Sequence, residues 1–476
     1  MQNGDHISQL IKQHLAHDAT TDQEALISHL SAFLQSDNNA SAFLLKGYAG
    51  TGKTTIVSSL VNMLHRVNMN PVLLAPTGRA AKVLSGYSGM PAHTIHKKIY
   101  RLQTGTDGSM QIILQQNKEK NALFIVDEAS MISWHQANQQ TSLFGGTNIL
   151  DDLMHFVYSN HSCRLIFVGD TAQLPPVLAA ESPALNRPFL ESTYSLKVYE
   201  YELKEVVRQP GDSGILFNAT RIREMLSQQK EGFPLLRHQG FPDMIRVQGQ
   251  EAADEVESAF LSRDREGALM ICRSNKRANL FNRHIRQRIL FMEDEINAGD
   301  LLMVVKNNYF WLPDNSEAGF IANGDILELK RIRKTEQLYG FRFADVTCRF
   351  IDYPSMPEVE TKILLDTLEA DGPALGQAEN KRLFDAVAED YTDIPNKRNR
   401  NVKIRNNPWL NALQVKYAYA MTCHKAQGGQ WDHVFVEMGY LPADKPDHEY
   451  LRWLYTAVTR ATRKLFLFNF RDEFFE

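Results

Sequence analysis

No stretch of this sequence is apolar for long enough to cross a membrane, so no spanning helix is expected. The opening residues Met1-Gln2-Asn3-Gly4-Asp5 are polar, without a basic segment leading into an apolar core, and no export signal is expected either. Cysteine is scarce: Cys163, Cys272, Cys348 and Cys423 lie far apart and form no C-x-x-C pair. That argues against a cysteine zinc site and a disulfide framework, and makes reduced thiols in the cytoplasm the expected state. A positive excess is missing as well, since the formal net charge is −4. Coating nucleic acid through overall charge is thereby disfavoured, and any polyanion site has to be local. What the chain does have is 476 residues, 43% of them hydrophobic, too many for one ordinary core and ample for two or more.

The most specific stretch is Gly47-Tyr48-Ala49-Gly50-Thr51-Gly52-Lys53-Thr54-Thr55, which fits the G-x-x-x-x-G-K-[S/T] phosphate-binding pattern in full. An apolar run at 42–45 precedes it, and a helix can continue from Thr54 to about Met63, the strand-loop-helix order such a loop needs. Glycines let the loop N–H groups turn onto phosphates, Lys53 supplies a cation, and the Thr54 hydroxyl can ligate Mg²⁺. Two more apolar runs end in polar tips. Leu123-Phe124-Ile125-Val126 delivers Asp127 and Glu128, suited to a metal and to a base that orients water. Residues 165–168 lead to Gly169-Asp170-Thr171-Ala172-Gln173, where a glutamine can hydrogen-bond both a γ-phosphate and the lytic water.

The rest of the chain is less specific taken piece by piece. Helical spacing is present over 6–16, and a second helix begins with Thr21 and Glu24 as a capping box, with Gln23 in its first turn. The strand at 71–75 opens into Pro76-Thr77-Gly78-Arg79-Ala80-Ala81-Lys82, a turn suited to holding a phosphodiester backbone. Residues 99–115 read as a hairpin, either a wedge for a duplex or a surface ornament. A second α/β sheet is expected from the runs at 268–272, 434–436 and 465–468, and it has no phosphate loop of its own. Between its parts, residues 299 to about 400 read as a small β-rich insertion with turns and loops, in which Tyr309, Phe310 and Trp311 are core or base-stacking residues. The basic run 396–405 is a solvated loop or a phosphate contact. Near the end, Thr422-Cys423-His424-Lys425-Ala426-Gln427-Gly428-Gly429 sets a hydroxyl, an imidazole and an ammonium beside a Gly-Gly turn. Arg460 sits in the largely small and apolar Leu454-Tyr455-Thr456-Ala457-Val458-Thr459-Arg460-Ala461, and an arginine there wants an anion, whether a phosphate or a structural carboxylate.

Taken together, these ordered blocks resemble superfamily 1 DNA helicases, specifically the RecD/Dda-like branch, from about Gln23 to Arg460. The resemblance implies an α/β fold of two RecA-like P-loop-type motor domains, with a β-hairpin pin insertion and an inserted SH3-like β domain. The implied division is 1–204 for the first motor domain, with the hairpin at about 90–120. Residues 205–298 and 406–476 then form the second, and 299–405 the insertion. It implies ATP and Mg²⁺ as cofactors, with Gln23 reading adenine and Gly47, Ala49, Gly50, Thr51, Gly52, Lys53, Thr54 and Thr55 cradling phosphate, and with Gly428 at the nucleotide. Thr54 and Asp127 would hold the metal, and Lys53, Glu128, Gln173, Arg208 and Arg460 would carry catalysis. Pro76, Thr77, Arg79, His96, Thr422 and His424 would contact the strand. The implied activity is ATP-driven movement on single-stranded DNA, 5′ to 3′ by analogy, with unwinding at duplex junctions, by a monomer working without a membrane in replication or repair. Without the long N-terminal extension of larger RecD relatives in this sequence, the resemblance is expected to be nearer the compact Dda type.

Other classes fit less of the sequence. A regulatory GTP switch wants an N/T-K-x-D base reader, and both Asn396-Lys397-Arg398-Asn399 and Asn275-Lys276-Arg277-Ala278 miss the aspartate. A small-molecule phosphotransferase leaves the second sheet and Arg460 without a task. An RNA helicase stays open, since no residue visibly reads a 2′-hydroxyl.

Overall fold

The computed structural model describes the chain apart from residues 1, 16, 39, 105–109, 135–147, 161, 178, 207–212, 263–264, 314–315, 317 and 442–443. Six parallel strands form the first sheet, in the order Ala92–Thr94, Asn70–Ala75, Ala122–Val126, Arg164–Gly169, Ser41–Gly47 and Lys197–Leu203. Parallel strands are covered on both faces, so they read as unbroken apolar runs. Phe43, Leu45 and Ile125 pack against residues of the helices Thr21–Gln35 and Lys53–Leu64. Leu44, Phe124 and Phe167 pack on the other face against the helix Ile149–Tyr158. The sheet's C-terminal edge therefore gathers three tips: the phosphate loop after Gly47, Asp127 after Val126, and Asp170 after Gly169. Ahead of it lies a helix at Gln2–Gln13, which packs on Thr21–Gln35.

The expected second sheet is present, with parallel strands in the order Ala420–Thr422, Ala268–Cys272, Trp431–Glu437, Ala461–Phe468 and Met244–Val247. Two helices of this lobe, Gly214–Ser227 and His448–Val458, pack together and face the first lobe. Residues 450, 451 and 453–458 of the second helix are all buried, because it is sandwiched between its own sheet and the neighbouring lobe.

Between these strands the chain closes a five-stranded barrel: Leu301–Val304, Ile326–Leu338, Phe341–Phe350, Val359–Leu364 and Leu413–Tyr417. The expected boundary at 405 leaves out the closing strand. Residues 413–417 alternate apolar and polar side chains and pair with Leu301–Val304 on one side and Val359–Leu364 on the other. The expected loops before 405 are instead two helices, Gln377–Glu389 and Lys397–Arg405. The basic run is helical because the Asn396 side chain caps it, accepting from the N–H groups of Arg398 (2.9 Å) and Asn399 (3.2 Å). Leu383, Val387 and Ile404 bury one side of the pair against Phe341 and Phe343. The aromatics at 309–311 are packing residues: Tyr309 stacks on Phe320 at 4.7 Å, and the Trp311 indole donates to the Asn411 carbonyl at 2.8 Å.

Where the barrel leaves the second lobe, Arg286 grips Asp300 with two bonds, at 2.8 and 2.9 Å, and both side chains are buried. The Tyr419 hydroxyl donates to the same carboxylate at 3.1 Å, and Arg286 also donates to the Tyr417 hydroxyl at 3.3 Å. The expected hairpin pairs Tyr100–Thr104 with Met110–Leu114 antiparallel; its turn lies outside the described residues. Among the described residues no helix is long and apolar enough to cross a membrane, and all four cysteines are buried and outside any disulfide.

Candidate functional site

The phosphate loop follows the strand Ser41–Gly47, and Gly52 caps the helix Lys53–Leu64 that leaves it. Gly50 and Gly52 both take left-handed backbone, with φ of +80° and +86°. A Cβ at Gly50 would also come to 3.0 Å from a methyl of Leu216, on the second lobe's helix Gly214–Ser227, so the two lobes approach closely here. The Lys53 ammonium donates to the carbonyls of Gly47 (2.7 Å) and Tyr48 (2.8 Å), which holds it over the loop. Thr54 and Thr55 are exposed at the helix start, and the Thr51 hydroxyl donates to the Tyr48 carbonyl at 2.8 Å.

The carboxylates take up different surroundings. Asp127 accepts the Tyr87 hydroxyl at 2.6 Å and the Glu128 N–H at 2.8 Å. Glu128 has a left-handed backbone at φ +52°, rare for a residue with a side chain, and this aims its carboxylate into the cleft. Desolvation pushes the Glu128 carboxyl above its ordinary range, and Asp127 and Asp170 reinforce this, while Arg460 and Lys53 oppose it. The Arg460 guanidinium reaches 4.0 Å from Glu128. It is itself buried, donating to the carbonyls of Thr456 (3.1 Å) and Gly429 (3.3 Å) and to the Thr459 hydroxyl (3.2 Å). Gln173 is buried as well, and its side-chain oxygen has no protein partner among the described residues. An orphaned amide oxygen beside a phosphate loop fits a site built for a ligand and water. The donor set fits a nucleotide with one divalent ion: a glycine loop, a lysine, one threonine hydroxyl and a pair of adjacent carboxylates, Asp127 and Glu128. Among the described residues no group of three or more His, Cys, Asp or Glu could hold a metal on its own.

The structure also places the other expected residues. Gln23 is buried, but the capping box belongs to Thr20 and Gln23 rather than to Thr21 and Glu24. The Thr20 hydroxyl accepts from the Gln23 N–H at 3.3 Å, and the Gln23 amide oxygen accepts from the Thr20 N–H at 3.2 Å. The Thr77 side chain caps the helix Gly78–Ser88, and Pro76 stands half-buried ahead of it. The Arg79 guanidinium sits over the Trp431 ring, 3.9 Å from its centre, and donates to the Gln430 carbonyl at 3.3 Å. Gly428, at φ +74°, meets this block, since a Cβ there would sit 3.0 Å from Ala80 and 3.2 Å from the Thr77 hydroxyl. Gly428 thus lies where the two lobes touch beside the expected strand contacts. Thr422 opens the short helix Cys423–Ala426, and His424 is exposed on it. His96 packs against Phe320 of the barrel, with ring centres 6.1 Å apart, and burial lowers its pKa to about 4. Arg208 lies outside the described residues.

Several contributors carried no recognisable signal. Arg452 clamps the Gln173 loop with three bonds, to the carbonyls of Thr171 (3.0 Å), Gln173 (3.1 Å) and Ala180 (2.8 Å). Arg223 lies 4.7 Å from the Tyr48 ring centre, and the Tyr455 hydroxyl meets the Ala49 N–H at 2.9 Å. Each partner is hundreds of residues away or has an ordinary local sequence, so only the fold brings them together.

A phosphate loop on one lobe is thus faced by a buried arginine from a second parallel sheet, the arrangement of a two-lobed P-loop ATPase. Residues 19–241 match the family model described as an AAA domain, and residues 417–468 match the UvrD-like helicase C-terminal domain. In these matches the chain is similar to RecD/Dda-like superfamily 1 DNA helicases, which are ATP hydrolases by class. It is 31% identical over 185 residues to the ATP-dependent DNA helicase dda of Enterobacteria phage T4, covering 38% of this chain and 37% of that protein. It is 27% identical over 267 residues to the ATP-dependent RecD2 DNA helicase of Deinococcus radiodurans, covering 56% of this chain and 34% of that protein. An uncharacterized protein of Acanthamoeba polyphaga mimivirus is 23% identical, over 94% of this chain and 98% of its own length. Over the named helicases, then, the chain spans little more than a third of their length. Among solved structures it is similar to the Pif1 helicase from Bacteroides in complex with ADP-AlF3 and ssDNA, with a TM-score of 0.46 and 15% identity, over 96% of this chain and 95% of that one.

Proposed function

We propose that this chain couples ATP hydrolysis to 5′-to-3′ movement along single-stranded DNA and unwinds duplex at its junctions. The observation that carries the reading is the shared cleft, where Arg460 of the second lobe comes within 4.0 Å of Glu128 beside the first lobe's phosphate loop. Bound ATP with Mg²⁺ supplies the phosphoryl group to be transferred. Lys53 and the loop N–H groups bind its phosphates, Thr54 and Asp127 hold the metal, and Gln23 reads the base. Glu128 accepts the proton of the attacking water, and Gln173 orients that water. Arg460 and Arg208 stabilise the charge that develops on the transferred group. Pro76, Thr77, Arg79, His96, Thr422 and His424 grip the strand from both lobes, and opening and closing of the cleft moves one grip past the other. The hairpin Tyr100–Thr104/Met110–Leu114 serves as the pin, and the barrel as the SH3-like domain. The working unit is a monomer, in replication or repair.

The test is phosphate release with and without a single-stranded oligonucleotide, followed by strand displacement on 5′-tailed and 3′-tailed duplexes. Strong stimulation and displacement of the 5′-tailed substrate alone are expected. Unstimulated turnover favours a nucleotide switch, and preference for RNA favours an RNA helicase.

The same reading sets a pH dependence. Glu128 must lose its proton to act as a base, and desolvation favours the protonated form. Turnover is therefore expected to fall as pH drops through a midpoint above the ordinary glutamate range. A pH-rate profile checks this, and Glu128→Gln should flatten the acid limb of whatever rate remains.

A further inference from the structure

We propose that Tyr455 is a positioning residue that links nucleotide binding to nucleic acid binding, because its hydroxyl ties the phosphate loop to the second lobe. The inference rests on the helicase reading above. Tyr455 lies on the helix His448–Val458, just ahead of Arg460. Its hydroxyl accepts the Ala49 N–H of the phosphate loop at 2.9 Å and donates to Asp170 at 2.6 Å. The other Asp170 oxygen accepts the Ala172 N–H at 2.9 Å, within the turn that carries Gln173. The next helix residue, Thr456, accepts the Leu174 N–H on its hydroxyl at 2.8 Å and the Arg460 guanidinium on its carbonyl at 3.1 Å. One buried hydroxyl thus joins the phosphate loop, the Gln173 turn and the helix that leads into Arg460. Desolvation and the Asp170 carboxylate hold its pKa far above the usual tyrosine value, so it remains a neutral donor.

The Ala49 N–H belongs to the loop whose amides are built to receive phosphate. A loop that turns this amide toward a nucleotide withdraws it from Tyr455, and the second lobe then loses one of its fixed points on the first. The strand contacts are divided between the same two lobes. Anything that shifts the lobes therefore changes affinity at both sites, and the coupling is reciprocal.

The test uses the full chain as wild type, Tyr455→Phe, Asp170→Asn and the double variant. A fluorescent non-hydrolysable ATP analogue is titrated with and without saturating oligo-dT, and the ratio of the two Kd values is the readout. A ratio of about 5 or more is expected for the wild type. Tyr455→Phe keeps the ring and its packing, and should bring the ratio to within about twofold of unity. Asp170→Asn should move it in the same direction, and the double variant should fall no further than Tyr455→Phe, as expected for residues acting as one unit. Cooperative melting of each variant separates lost linkage from lost fold. A wild-type ratio in Tyr455→Phe overturns the proposal, as does additivity in the double variant. If neither single variant folds, the hydroxyl is structural and the proposal falls. A wild type that binds both ligands with a ratio of unity also overturns the proposal but leaves the helicase reading standing. A wild type that binds no oligonucleotide removes that reading itself.

Discussion

Lys53→Ala is expected to lower ATP turnover by about 10³-fold or more while leaving affinity for single-stranded DNA within about threefold. The ammonium is held over the phosphate loop by the Gly47 and Tyr48 carbonyls, at 2.7 and 2.8 Å, where a β- or γ-phosphate would meet it. Alanine removes both the cation and these two restraints. The proposed strand contacts, Thr77, Arg79, Thr422 and His424, share no bond with it, so DNA binding should persist. Phosphate release measures the first effect and fluorescence anisotropy of a labelled oligonucleotide the second. Turnover within tenfold of wild type would remove Lys53 from the chemistry, and parallel loss of DNA binding would point to a collapsed loop instead.

Arg460→Ala should reduce kcat by about 10³-fold with a much smaller change in nucleotide affinity, the pattern of a group that acts in the transition state. Its position is unusually well determined. Three hydrogen bonds to residues 429, 456 and 459 hold the guanidinium, and the remaining approach is toward Glu128. Because that scaffolding is also structural, Arg460→Lys is the necessary companion: it keeps a charge but not the planar fork. A role in charge stabilisation predicts a deficit in both variants with cooperative melting retained. If lysine restores full turnover, fork geometry is unimportant. If alanine leaves kcat unchanged, Arg460 is only a structural tie between 429 and 456.

The nucleotide side of this cleft was legible because its chemistry is local. Parallel strands make continuous apolar runs, so residues 42–45 and 123–126 advertise both the strand and the polar tip that follows. A phosphate loop must carry its glycines and lysine in one short order. The cross-lobe partners obey no such constraint. Tyr455 stands in the block singled out for Arg460, yet nothing near it in sequence announces Ala49, 406 positions away. Trp431 looks like one more strand aromatic until Arg79 is found on its face. Gln23 shows a different limit. A first-turn glutamine serves equally as a capping partner or as a base reader, and local spacing cannot separate the two. The barrel's end was misplaced because the motor-like block at 422 draws the boundary toward itself, whereas the chain stays in the barrel until Tyr417.

The bidentate clasp between Arg286 and Asp300 has a mechanical consequence. Leaving one partner of a buried ion pair without the other costs about 3–5 kcal/mol, so the clasp resists being pulled apart. The barrel is also continuous with the second sheet through Tyr417 to Ala420, with Tyr419 bonded into the clasp. Barrel and second lobe are thereby joined at a common root, by the clasp and by the shared run of chain. From that root the barrel reaches back to the first lobe, where Phe320 rests on His96 just before the hairpin.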